Sequence, residues 1–89
     1  MAGKKFDAGK PDYTLVPWSG VTKVVEVLMF GASKYSAGGW QFVPDGERRY
    51  LAAALRHLSA YADGEQCDQE SGLSHLAHAA CCLLFLLAD

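Results

Sequence analysis

The sequence predicts an all-α protein, built as a small helical bundle that is completed by oligomerisation. Apolar residues recur at intervals of three or four in three separate stretches, which is the spacing of one helix face. The chain has 89 residues, enough for a single domain over residues 1–89 with a thin core. Because 51% of the residues are apolar, more than a small globule easily buries, we expect a second copy of the chain to cover part of them.

An irregular segment precedes the first predicted helix. Residues 1–17 contain three lysines and two prolines with no apolar period, so we expect an extended arm laid on the fold. From Ser19 onward, apolar residues return at every third or fourth position. This pattern predicts a helix over residues 19–34 with Ser19 as its N-cap.

Two further helices are predicted in the second half of the chain. Asp45 is the expected N-cap of a helix over residues 46–62. Residues 63–70 form a dense acidic connector, which needs solvent, a helix cap or a cation to be stable. Ser71 is the expected N-cap of a third helix over residues 72–88, whose second half is apolar on every side and must be enclosed.

Charge and cysteine content narrow the possible partners and the location. The formal net charge of -2 provides no broad electropositive face, so we expect no binding to duplex nucleic acid. Cys81 and Cys82 are adjacent and point in different directions on a helix, which excludes a disulfide framework and indicates a reducing compartment. The longest apolar run, residues 79–88, is too short to span a bilayer, so we expect a cytoplasmic protein without a membrane partner.

Three histidines are the main candidates for chemistry. His75 and His78 lie three positions apart on one face of the third helix, and His57 approaches them if the second and third helices pack antiparallel. Imidazoles and carboxylates on facing helices are one way in which a bundle holds a divalent metal ion. The alternative is that these histidines are hydrogen-bonded packing residues between the helices.

Cationic and aromatic side chains suggest a nucleotide-like ligand, with a simpler structural alternative in each case. Arg56 can bind a phosphate or form a salt bridge with Asp68 or Glu70 of the acidic connector. Tyr35 and Trp40 offer a flat surface for a base or fill the core. The lysines of the N-terminal arm bind a phosphate-bearing ligand or are simply solvated.

Two sets of motifs resemble a known family. The second half of the chain carries Arg56-His57-Leu58, Gly64-Glu65, Glu70-Ser71-Gly72-Leu73, His75-Leu76-Ala77-His78 and Leu84-Phe85-Leu86-Leu87. The first half carries, in the same order as that family, Gly9-Lys10-Pro11, Val16-Pro17, Phe30-Gly31-Ala32, Lys34-Tyr35 and Trp40. Together these motifs cover nearly the whole chain and are similar to the N-terminal domain of phage dATP/dGTP diphosphohydrolases.

The resemblance implies an all-α nucleotide pyrophosphohydrolase, similar to the MazG and HisE-like group, that acts as a dimer or tetramer in the host cytoplasm. Such an enzyme cleaves a deoxypurine nucleoside triphosphate, dGTP or dATP, to its monophosphate and pyrophosphate with a divalent ion, Mg²⁺, Mn²⁺ or Co²⁺. The roles that it implies are metal binding by Asp68, Glu70, His75 and His78, catalysis by Glu65, Glu70 and His57, and substrate binding by Lys10, Lys34, Tyr35, Trp40 and Arg56.

One difference from the MazG group leaves two other functions open. Where that group has paired Glu-x-x-Glu and Glu-x-x-Asp motifs, this chain has His75-x-x-His78 and offers His57. The same pocket could therefore bind and sequester a nucleotide without hydrolysing it. A helical subunit with histidines in its core is the third possibility, and it predicts no effect of nucleotide or metal on thermal stability.

Overall fold

Three helices make up most of the computed structural model, which describes residues 3–89. They are α1 (Trp18–Lys34), α2 (Gly46–Ala62) and α3 (His75–Ala88). Short 3₁₀ turns at Tyr13–Leu15 and Gly39–Phe42 precede α1 and α2. The described residues form no strand and a single isolated β-bridge, so the predicted all-α class is confirmed.

Neither of the first two helices has the side-chain capping bond that was predicted, although Asp45 does occupy the N-cap position of α2. Pro17, not Ser19, occupies the N-cap position of α1, and Ser19 lies inside the first turn. Proline suits a helix start because its ring fixes φ and it has no N–H that needs a partner. Asp45 adopts a left-handed backbone with φ of 55° and makes no capping bond to α2, because its carboxylate accepts a hydrogen bond from Arg48 Nε at 2.6 Å.

The third helix begins three residues later than predicted. Ser74 is its cap, and the hydroxyl oxygen accepts hydrogen bonds from the backbone N–H groups of Leu76 at 3.1 Å and Ala77 at 3.4 Å. Gly72 has a φ of +72°, which interrupts any helix that would start at Ser71. The prediction that Ser71 caps α3 is therefore wrong, and its side chain turns toward the histidines instead.

The N-terminal arm is not laid on the helices as predicted. Every residue from 3 to 15 is exposed, and Phe6 and Leu15 keep 82% and 81% of their accessible surface. A turn, in which Lys10 N–H donates to the Asp7 carbonyl at 3.0 Å, is part of its local structure. The few apolar side chains of the arm offer too little burial to offset the entropy of fixing it on its own chain. Met1 and Ala2 lie outside the described residues.

The core is small and lies mainly between α1 and α3. Val27 of α1 packs with Ala77 and Cys81 of α3, and all three side chains are buried. On α2, Ala54 is only 1% exposed. Four partly buried apolar residues pack against the core, namely Val24, Leu28, Leu73 and Phe85. The small core agrees with the expectation from chain length.

Large apolar side chains remain exposed. Those of α2 form a leucine stripe of Leu51, Leu55 and Leu58, which are 40% to 56% exposed. On α3, Leu83 and Leu87 are 42% and 82% exposed, so the second half of that helix is not enclosed within one chain. None of the helices within residues 3–89 is long and apolar enough to span a membrane.

Candidate functional site

A cleft of about 770 Å³ opens between the three helices and the loop that joins α1 to α2. Two groups of aromatic rings mark its two levels. We call them the histidine layer (His57, His75, His78) and the aromatic layer (Trp40, Tyr50, Phe85). All of these residues except His75 line the cleft directly.

The histidine layer forms where α2 and α3 cross in opposite directions. His57 Nδ1 lies 2.8 Å from His75 Nδ1, and the His57 and His78 rings stack with centroids 4.6 Å apart and planes 12° apart. His57 therefore meets the other two histidines, as antiparallel packing of these helices required. Only one of the two Nδ1 atoms can carry the proton that they share.

The acidic connector supplies the partners of these rings. His75 Nε2 lies 2.6 Å from a Glu65 carboxylate oxygen, which can only accept when ionised, so this nitrogen donates. His75 Nδ1 is then the acceptor of the His57 bond in a neutral pair. Ser71 Oγ lies 2.7 Å from His78 Nε2 and 3.0 Å from Asp68 Oδ2, which links the third ring to the carboxylate.

Backbone hydrogen bonds fix the connector in place. The Asp68 N–H donates to the Leu73 carbonyl, the Gly72 N–H to the Asp68 carbonyl and the His75 N–H to the Gln66 carbonyl, each at 2.8 Å. These bonds join the connector to residues 72–73 and to the first residue of α3, and the Glu65 N–H donates to the Ala60 carbonyl of α2. Asp68 and Glu65 are consequently held against the histidine layer.

Burial and charge set the protonation of the layer. Burial lowers the pKa of His57, and the positive charges that His78 and His75 can carry lower it further. Burial also lowers the pKa of His78. Partial burial acts to raise the pKa of Asp68, but hydrogen bonds from the Ser71 N–H and hydroxyl outweigh it and lower the pKa overall. At neutral pH the lowered pKa values therefore favour neutral imidazoles at His57 and His78, beside the Asp68 carboxylate.

These shifts predict that the metal-free protein loses stability in mild acid. The folded pKa values of His57 and His78 lie below the ordinary 6.5, so between the two values the unfolded chain binds more protons. The free energy of unfolding should then fall as the pH drops below about 6.5. Protonation of Asp68 should lower it further only when the pH falls below 3.8, the ordinary pKa of an aspartate. Urea unfolding at pH 7.5 and pH 5.5 measures this difference in the free energy of unfolding. The difference should be smaller in His57→Asn, which lacks one of the two titrating imidazoles. Equal or greater stability at pH 5.5 would contradict the prediction.

The donor set suits a transition-metal cation. One ligand atom from each of His57, Asp68 and His75 lies within 4.8 Å of the others. Two imidazole nitrogens and one carboxylate oxygen favour Mn²⁺, Co²⁺ or Zn²⁺ over Mg²⁺, which prefers oxygen. Glu65 on the outer nitrogen of His75 is the arrangement that orients metal-binding histidines. The residues present thus fit a divalent ion.

Other residues with expected roles lie around this set or away from it. Glu70 pairs with the Lys34 ammonium, which also lies 5.1 Å from the centroid of the Tyr35 ring. The Glu70 carboxylate raises the pKa of Lys34. Arg56 lines the cleft and, within residues 3–89, forms neither of the salt bridges considered for it. Lys10, on the exposed arm, is not among the residues that line the cleft.

The aromatic layer was only partly visible in the sequence. The Trp40 and Phe85 rings stack with centroids 4.7 Å apart, so one face of Trp40 is already covered. Tyr50 lies 5.1 Å from Phe85 and donates its hydroxyl hydrogen to the Trp40 carbonyl at 3.0 Å. Tyr50 and Phe85 were not predicted from the sequence to be site residues. Burial raises the pKa of the neighbouring Cys81 thiol to about 11, which keeps it protonated and unreactive.

Fold and site together define an all-α protein with a candidate metal centre at one end of a cleft and an aromatic platform at the other. The family described as dATP/dGTP diphosphohydrolase, N-terminal, matches residues 1–89. The chain belongs to this family, which confirms the resemblance inferred from its motifs.

A curated relative supports the same assignment. The chain is 37% identical over 86 residues to a dATP/dGTP diphosphohydrolase of Salmonella phage PMBT28. The alignment covers 97% of this chain and 29% of the relative, so the chain spans less than a third of that protein's length. No solved structure matches the chain.

Proposed function

We propose that the cleft binds dGTP and dATP and hydrolyses them to the nucleoside monophosphate and pyrophosphate. The observation that carries the proposal is the clustering of His57 and His75 beside Asp68, at one end of a cleft with cationic and aromatic walls. Family membership makes the nucleoside triphosphate the substrate to test first.

The two ends of the cleft suit the two ends of a nucleotide. Lys34 and Arg56 provide positive charge for phosphates near the histidine layer. The Lys34 ammonium is held by Glu70 in the free protein, so a phosphate would compete with that carboxylate for the same cation. Tyr35 is exposed and Trp40 also lines the cleft, and either ring can stack on a base.

The metal requirement belongs to the proposal. His57, Asp68 and His75 would hold the divalent ion, Mn²⁺ or Co²⁺ in preference to Mg²⁺, and the ion when bound would neutralise phosphate charge and polarise the scissile linkage. His57 and His75 would offer their Nδ1 atoms as neutral imidazoles, once the proton that they share has moved to Nε2 of His57. Glu65 orients His75 through its outer nitrogen. Glu70, released from Lys34 by the phosphate, is the candidate general base for the attacking water.

Nucleotide sequestration is a second candidate function. Glu65 and Glu70 are both engaged by other side chains in the free protein, which favours binding without a free general base. The same cleft and the same cations would then hold the nucleotide unchanged. This alternative separates from hydrolysis in a single assay.

The experiment is pyrophosphate release from dGTP and dATP by the purified chain with Mn²⁺, Co²⁺ or Mg²⁺. We expect monophosphate and pyrophosphate as products, with the fastest turnover in Mn²⁺ or Co²⁺. A rise in melting temperature with nucleotide but without any product would favour sequestration. No change in either measurement would overturn both functions.

We also propose that a second copy of the chain covers the leucine stripe. The accessible surface is 6993 Å², whereas a compact chain of 9.6 kDa exposes about 5,100 Å². The excess of about 1,900 Å² exceeds the roughly 800 Å² that each partner buries in a standard interface. The exposed arm accounts for some of it, and the leucines of α2 and α3 lie on the remaining apolar surface.

The stripe predicts the effect of one charge on assembly. Leu55→Glu should shift the protein from dimer to monomer, because a carboxylate at the centre of the interface would lose its hydration. Light scattering coupled to size exclusion measures the mass, and Thr22→Glu on the exposed surface of α1 is the control with the same charge change. An unmodified protein that elutes at the chain mass of 9.6 kDa at tens of micromolar would contradict the proposal.

A further inference from the structure

The two layers of the cleft are separated by a fixed helical distance. Tyr50 precedes His57 by seven residues on α2, and His78 precedes Phe85 by seven residues on α3. Because each residue advances a helix by 1.5 Å, the layers lie about 10.5 Å apart along both helices. A ligand that fills the cleft therefore places one end against the histidines and the other against the aromatic rings.

Positive charge is distributed over both ends. Arg56 adjoins His57 in the sequence, whereas Arg49 adjoins Tyr50 and lines the cleft two turns away from Arg56. Phosphates held at the histidine layer can use Lys34 and Arg56. They leave Arg49 beside the aromatic layer, at the end where the base would stack.

The Arg49 guanidinium has donors to spare. Its Nη1 donates a hydrogen bond to the Pro44 carbonyl at a long 3.3 Å, and it forms no salt bridge with any described residue. Its neighbour Arg48 differs, because Arg48 Nε donates to Asp45 at 2.6 Å. Burial raises the pKa of Tyr50, and the positive charge of Arg49 acts in the opposite direction.

We propose that Arg49 reads the base in the cleft and selects guanine over adenine, an inference that rests on the proposed nucleotide-binding function. A guanidinium presents two parallel N–H donors, and guanine presents two acceptors, O6 and N7, at the matching spacing. Adenine presents N7 beside the N6 amino donor, which faces a guanidinium donor without a partner. A bidentate contact of this kind typically discriminates by roughly 10-fold to 100-fold.

The test compares three nucleotides in the full chain. kcat/KM is measured for dGTP, dITP and dATP, because the hypoxanthine base of dITP keeps O6 and N7 but lacks the 2-amino group. We expect dGTP and dITP to be similar and each to exceed dATP by about 10-fold or more. Similar values for dITP and dATP would overturn the proposal.

Three variants assign the preference to one residue. Arg49→Gln should abolish or invert the preference, because a glutamine amide pairs with N6 and N7 of adenine. Arg49→Lys keeps the charge without the paired donors and should also lose the preference. Arg56→Gln should weaken all three substrates alike. An unchanged dGTP to dATP ratio in both Arg49 variants would sink the assignment.

The base preference can also be measured if the chain does not hydrolyse nucleotides. If no nucleotide is turned over, dissociation constants for the same three nucleotides by calorimetry give the same ratios, and the Arg49 variants are compared on those. Absence of turnover then contradicts the proposed hydrolysis alone. Equal dissociation constants for dGTP and dATP in the unmodified chain contradict the role of Arg49.

Discussion

Asp68→Asn is expected to reduce pyrophosphate release by about 100-fold or more, because loss of even an outer partner of a metal ligand typically lowers activity 10-fold to 100-fold. The substitution removes the negative charge that faces His57 and His75 but keeps an oxygen that can accept from the Ser71 N–H. The fold should therefore survive while the ion is lost. Steady-state rates with dGTP and Mn²⁺ measure the effect.

Two controls separate the metal site from general acidity. Asp63→Asn removes the same charge from the same connector, at an exposed position that ends α2, and should leave the rate within about two-fold. The metal-free Asp68→Asn protein should melt somewhat below the unmodified chain, because the neutral amide lacks the charge that the Ser71 hydrogen bonds stabilise, but it should remain folded. The rise in its melting temperature on adding Mn²⁺ should be abolished. Full activity in Asp68→Asn would rule out this carboxylate as a ligand.

Ala54→Leu is expected to destabilise the fold by about 1–3 kcal/mol, because a larger side chain overpacks the seam between α2 and α3. Ala54 lies four residues after Tyr50 and three before His57, on the face of α2 that carries both layers, and it is 1% exposed. Each kcal/mol should lower the melting temperature by roughly 4–8 °C in a domain of this size. Activity should fall as well, since the two layers share this seam.

Ala62→Leu is the matched control for that substitution. It adds the same atoms to α2 at its exposed last residue and should change the melting temperature little. Thermal unfolding followed by circular dichroism compares the two variants. Equal melting temperatures for Ala54→Leu and the unmodified protein would show that α2 and α3 can accommodate the larger side chain without loss of stability, contrary to the prediction.

The helices were predictable from the sequence because their apolar period is strong, but the start of α3 and the caps of α1 and α3 were not. Capping depends on which of several nearby polar side chains reaches the first amides, and the choice is settled by backbone geometry. Because Gly72 has a positive φ, α3 begins after it, and Ser74 rather than Ser71 is its cap. Pro17 took the first cap because its fixed φ already suits a helix start.

The histidine layer was within reach of sequence reasoning, since spacing placed His75 and His78 on one face and antiparallel packing added His57. The pairing of Lys34 with Glu70 was not, because those residues are distant in sequence and no period relates them. The contact of Ser71 with His78 was not predictable from helical spacing either, because Gly72 at a positive φ places Ser71 outside α3. Predicting the aromatic layer would have required knowing the register of α2 against α3, which apolar stripes alone do not fix.

The short sequence separation of the contacts around the connector determines which part of the molecule should fold first. The contacts among His57, Glu65, Asp68, His75 and His78 all fall within residues 57–78, so the loops that they close are short. Short loops lose little entropy on closure and form quickly, whereas the Lys34 to Glu70 contact spans 36 positions. We therefore expect the α2–α3 hairpin to assemble early in folding, with its histidines already in register, and α1 to dock afterwards and complete the wall of the cleft.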